Sequence, residues 1–186
     1  MRSITEDILE WSEKYLEPKN KNLGDVPVCP YARMARLQNK YKIIECHEGD
    51  KFLDFVLEGI ELIRSPEKQI VMVACDDIQY SSEELIAILH AYNLVFVPQD
   101  IYLMGFHPWA DDEEEEVEFL DTGEWSLDNE FMMVLIQNFD ELEKASDNLQ
   151  KTGYYQHWPQ DYYEGTVLKR QTYRRYRYGR NEKESS

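Results

Sequence analysis

Between residues 41 and 106, apolar runs of strand length alternate with amphipathic helices that carry their own start signals, and this restricts the chain to a layered α/β architecture. Residues 41–46 (YKIIEC) read as a strand, and 50–63 (DKFLDFVLEGIELI) set Phe52, Phe55, Val56, Ile60 and Ile63 on one helical face. The continuous apolar run 69–75 (QIVMVAC) suits a strand covered on both sides. A capping box, Ser81 to Glu84, opens a helix that ends near Asn93, and 101–106 (IYLMGF) give a third strand. A fourth, 131–137 (FMMVLIQ), has the length of a strand but also fits a buried helix; a polar helix over 140–151 follows, with Gly153 placed to close it.

Flanking this core, a capping box at Ser3 and Glu6 with Ile4, Ile8, Trp11 and Tyr15 predicts a helix to about Glu17. Residues 19–28 read as a loop, and Pro30 suits the first turn of a short helix over 31–39. The expectation is one α/β domain over 1–153, a mixed sheet of four to five strands flanked by helices, with an aromatic and basic extension over 154–186. Residues 110–130 form an acidic excursion whose six consecutive carboxylates, 111–116, favour solvation over packing.

Charge is distributed unevenly. The formal net charge is −17, yet the last 18 residues hold seven Lys or Arg against two Glu, a net +5, leaving the preceding 168 residues at −22. A pI near 4.6 argues against a general nucleic-acid surface. The tail (KRQTYRRYRYGR, 169–180), with Arg174, Arg175, Tyr176 and Arg177 at its centre, has the chemistry to contact phosphates and stack on bases. Its charge fits the acidic body better, within one chain or between copies as a homo-oligomer, and residues 166–178 also alternate well enough for an edge strand. No apolar run is long enough to span a membrane, and the acidic N-terminal segment lacks signal-peptide architecture, so a cytoplasmic location is expected. Cys29, Cys46 and Cys75 are odd in number and lack CxxC spacing, which suggests neither a disulfide framework nor a zinc knuckle.

Two groups of residues carry candidate chemistry. Cys29 falls at the expected N-cap of the 31–39 helix, where the helix dipole and Arg33 one turn on would favour thiolate; the plain alternative is a small capping residue. His107 follows the third strand, and the first two strands end in Cys46-His47-Glu48 and Cys75-Asp76-Asp77. Strand carboxyl ends border ligand crevices in open α/β sheets, so His47, Asp76, Asp77 and His107 are candidate ligands for a divalent metal such as Fe, Zn or Mn. His90 reads as a packing or surface residue, and His157 has no fixed place. Signatures of dinucleotide, P-loop and α/β-hydrolase sites are missing from the sequence.

The segment Cys29-Pro-Tyr-Ala32 resembles the Cys-Pro-Tyr-Cys of glutaredoxins with its second cysteine replaced, although the preceding residues 25–28 are too short for the buried strand of such a site. Together with Phe106-His-Pro108, and with 133–136 leading into 140–143, it also resembles a family of small bacterial proteins of unknown function that carry Cys-Pro-Phe-Ala and Phe-His-Pro. That resemblance covers about residues 26–150 and implies that Cys29 and His107 share one site. Two functions follow as expectations. One is a small enzyme with Cys29 as nucleophile or ligand, Arg33 beside it and His107 as base or metal ligand. The other is a non-enzymatic binding or regulatory protein that uses its acidic loop and basic tail.

Overall fold

The computed structural model describes residues 3–108 and 131–179; the acidic run 111–116 lies outside the described residues. Helix α1 (Ile4–Trp11) starts on the expected capping box, with the Glu6 N–H donating to Ser3 Oγ at 3.2 Å, and continues through a π turn, Ser12–Leu16. A two-residue hairpin, β1 (Lys19–Asn20) and β2 (Val26–Pro27), occupies the segment read as loop, and α2 (Ala32–Leu37) follows. The remaining body elements are β3 (Tyr41–Cys46), α3 (Phe52–Ile63), β4 (Ile70–Cys75), α4 (Ser82–Phe96), β5 (Ile101–Phe106), β6 (Met132–Asn138) and α5 (Phe139–Lys151).

The four longer strands form one sheet in the order β3-β4-β6-β5. β3 and β4 are parallel, while β6 runs antiparallel to both neighbours, so β3, β4 and β5 all point the same way. Their carboxyl ends therefore share one edge of the sheet. The residues 131–137 resolve as a strand because β6 sits at the centre, where both of its faces are covered; Met132, Val134 and Ile136 are fully buried toward one side.

Alternation along the strands builds two apolar layers. Val71, Val73 and Cys75 face α3 and α4, whereas Met72 and Ala74 face α1. Two glycines allow this approach: a Cβ on Gly59 would lie 2.7 Å from Ile136 Cδ1, and one on Gly105 2.5 Å from Leu89 Cδ1.

The extension is helical and packed on the body, not an edge strand. After a 3₁₀ turn, Tyr154–His157, come α6 (Gln160–Tyr163), a π turn (Glu164–Leu168), α7 (Lys169–Gln171) and α8 (Arg174–Tyr178). The spacing Val167, Arg170, Arg174, Arg177 follows the helical period of three and four, not the alternation of a strand. Val167, Arg170 and Tyr173 are buried, and Tyr173 joins Val97, Tyr102 and Phe139 in a third apolar cluster. No helix among the described residues is long and apolar enough to cross a membrane.

Candidate functional site

The carboxyl edge of the sheet collects most of the residues that the sequence marks. His47 leaves the end of β3 and its Nδ1 lies 3.0 Å from Asp76 Oδ2, just past the end of β4. Its Nε2 lies 3.7 Å from Glu45 Oε2, and its backbone N–H donates to Asp50 Oδ2 at 2.9 Å. The hydrogen bond to Asp76, reinforced by the surrounding carboxylates, raises the His47 pKa above its ordinary value and favours imidazolium. Glu45 in turn accepts the Thr5 N–H at 3.1 Å, and hydrogen bonding from the Thr5 side chain, seconded by this backbone bond, holds its carboxyl below the usual range.

Below this surface group, Cys46 and Cys75 are paired residues of adjacent strands, both fully buried, with Sγ atoms 3.1 Å apart. Gln79 lies against one of them. Its Oε1 accepts the Phe52 N–H at 3.1 Å, its Nε2 donates to the Asp50 carbonyl at 2.8 Å, and the same nitrogen lies 3.4 Å from Asp77 Oδ2 and 3.9 Å from Cys75 Sγ. Burial pushes both thiols up from their ordinary values.

His107 closes the far end of the same edge. It is 5% exposed, and its Nε2 lies 2.8 Å from the Tyr80 carbonyl; a carbonyl only accepts, so this nitrogen carries the proton. It borders a shallow open depression with residues 78–83. Two strands separate it from His47, about 14 Å at ordinary strand spacing. The proposed metal set of His47, Asp76, Asp77 and His107 is therefore not assembled, and no three His, Cys, Asp or Glu among the described residues form a metal-ligand group.

Cys29 belongs to a different place. The helix begins later than its sequence suggests, with Tyr31 as N-cap, so Cys29 lies two residues before the cap, its N–H donating to the Leu16 carbonyl at 3.1 Å. Burial beside Tyr41, Tyr154 and Glu17 raises its pKa, opposite to the expected thiolate stabilisation. Arg33 is exposed and adds its charge at Glu17; Arg36 is the arginine that turns inward and binds Glu17 through Nε at 2.6 Å and Nη2 at 2.9 Å. Tyr41 starts β3 while His107 follows β5, so Cys29 and His107 lie at opposite ends of the strands and at opposite sides of the sheet. The shared Cys29–His107 site implied by the motifs does not form.

The tail spends its arginines on the body. Glu143, 3% exposed, receives Arg170 Nε at 2.5 Å and also Arg174 Nε, and Arg174 Nη2 reaches Asp147 at 2.9 Å. Arg177 binds Asp140 through Nε at 3.0 Å and Nη2 at 2.6 Å, with Tyr178 donating to the same carboxylate at 2.8 Å, and these contacts hold the Asp140 carboxyl below its usual range. Of the four tail residues marked for partner binding, Arg175 and Tyr176 remain exposed, stacked on one another with the guanidinium 4.7 Å from the ring centre. Sequence reasoning missed the thiol pair, although both cysteines end strands immediately before polar residues. Compared with known proteins, the chain matches no family model, no curated protein and no solved structure.

Proposed function

We propose that this chain is a non-enzymatic binding protein that works as a symmetric pair of copies joined through the outer face of α4. The observation that carries the reading is an uncharged, exposed apolar stripe. From Leu85 to Phe96 the helix has no Asp, Glu, Lys or Arg, and Ile86 and Leu94, on one face with exposed His90 between them, are 51% and 37% exposed. Apolar side chains grouped this way on a chain of net charge −17 favour burial against another surface.

A second copy fits this stripe. Ile86 and Leu94 lie four residues either side of exposed His90, so an antiparallel two-fold contact centred there sets each Ile86 on the other copy's Leu94, with Ala87 and Ala91 permitting close approach. The ends are complementary in charge: Glu83 is in the first turn of α4, and exposed Arg175 lies near its C-terminal half, where His90 Nδ1 is 2.6 Å from Tyr173 Oη. An enzyme using Cys29, Arg33 and His107 would need an ionised thiol beside the histidine; the raised pKa of Cys29 and its place at the other end of the sheet weigh against it.

Sedimentation velocity tests the pairing. The wild-type chain is expected to dimerise with a Kd on the order of 1 μM or tighter, and Ile86→Asp with Leu94→Asp to give a monomer with unchanged circular dichroism. Glu83→Lys or Arg175→Glu alone should weaken the dimer and the two together restore it. A wild-type chain that stays monomeric well above that concentration would overturn the reading.

A further inference from the structure

Cys46 and Cys75 end β3 and β4 in register, and the parallel pairing holds their backbones side by side. Both side chains are fully buried, their sulfurs 3.1 Å apart, about 1 Å beyond the length of a disulfide bond. Neither thiol takes part in the α4 contact proposed above. The Gln79 amide lies 3.9 Å from Cys75 Sγ and is held there by the Phe52 N–H and the Asp50 carbonyl, at the start of α3. A single polar side chain thus lies against one of two sulfurs that are already adjacent.

We propose that Cys46 and Cys75 form a dithiol modification site, which hydrogen peroxide converts to a disulfide spanning the carboxyl edge of the sheet. In the first step one thiolate attacks a peroxide oxygen. The O–O bond breaks, hydroxide leaves and takes up the thiol proton as water, and the sulfur becomes a sulfenic acid. The neighbouring thiol then attacks that sulfur, the S–S bond forms, and the sulfenic oxygen leaves as a second water. Two thiols lose two electrons and two protons, and one peroxide is reduced to two waters. Burial keeps the first step slow while the second is fast, because no thiol other than the neighbour lies so near. A small oxidant suits a site that admits little else.

The bond would join positions 29 residues apart in sequence, so it constrains the unfolded chain and raises the melting temperature, by about 10 °C on a loop-closure argument. The test treats the folded full chain with hydrogen peroxide, removes the peroxide, unfolds the chain in urea, alkylates remaining thiols and maps them by mass spectrometry. The expected result is a loss of two hydrogens, a peptide link between Cys46 and Cys75, alkylation at Cys29, and a higher melting temperature that dithiothreitol reverses. Gln79→Ala should speed formation of the link several-fold without changing which cysteines it joins. The double variant Cys46→Ala with Cys75→Ala should show no peroxide-dependent change in melting temperature. The proposal fails if, after peroxide treatment of the folded chain and subsequent unfolding, both cysteines are still fully alkylated, under peroxide that oxidises the urea-unfolded chain. It fails equally if the link involves Cys29 or joins two chains, or if sulfinic acid accumulates at either cysteine in place of the bond.

Discussion

Glu17 shows at single-residue scale how burial selects a partner that spacing does not reveal. Its side chain is 5% exposed, clasped by Arg36 and also accepting from Ser12 Oγ at 3.1 Å, and the Arg36 hydrogen bond lowers its pKa. A carboxyl that titrates lower in the folded than in the unfolded chain stabilises the fold fully above its unfolded value. That contribution fades as pH falls through the folded one. Glu17→Gln is expected to cost about 1–3 kcal/mol at pH 7, with the gap to wild type narrowing as pH falls below the ordinary carboxylate range; urea unfolding at neutral and acid pH measures it, and an equal gap at both would exclude the ion pair as cause. The sequence marks Arg33, one turn from Cys29, as the influential arginine. The fold chose Arg36, because α2 turns that position toward the end of the π turn and leaves Arg33 in solvent.

Among the secondary-structure elements, edge strand β5 depends on a side chain rather than on another strand. Asn93, 3% exposed on α4, donates through Nδ2 to the Leu103 carbonyl at 2.9 Å and accepts the Leu103 N–H on Oδ1 at 2.8 Å, continuing the ladder on the side away from β6. Asn93→Leu removes both bonds and leaves two backbone groups buried without them, so a loss of about 2–3 kcal/mol is expected. A lowered urea midpoint with an unchanged m-value would register it; an unchanged midpoint would show that the ladder needs no such cap. The strands 41–46 and 101–106 and both capping boxes were legible in sequence because their signals are local. The extension was read as an edge strand from short local alternation, whereas the residues that meet the body, Val167, Arg170, Arg174 and Arg177, are spaced for a helix whose arginines reach the acids on α5.

On the scale of the whole molecule, the extension completes the body. Glu143 sits buried between Arg170 and Arg174, and Tyr173 closes the cluster around Tyr102 and Phe139. Removing residues 169–186 would strand a buried carboxylate and uncover those rings, so a loss of at least about 3 kcal/mol and a lower melting temperature are expected. Calorimetry of the truncated chain decides this: an unchanged transition would make the tail an appendage. Local patterning specifies the α/β class, most of the element order and many of the residues that face the core, since periodicity and capping act over a few neighbours. Tertiary structure alone decided the strand order β3-β4-β6-β5 and the register, and with them that His47 meets Asp76, that Cys46 meets Cys75, and that Cys29 lies far from His107. Strand order is set by which apolar faces bury one another across the whole chain, and no local pattern of residues encodes that choice.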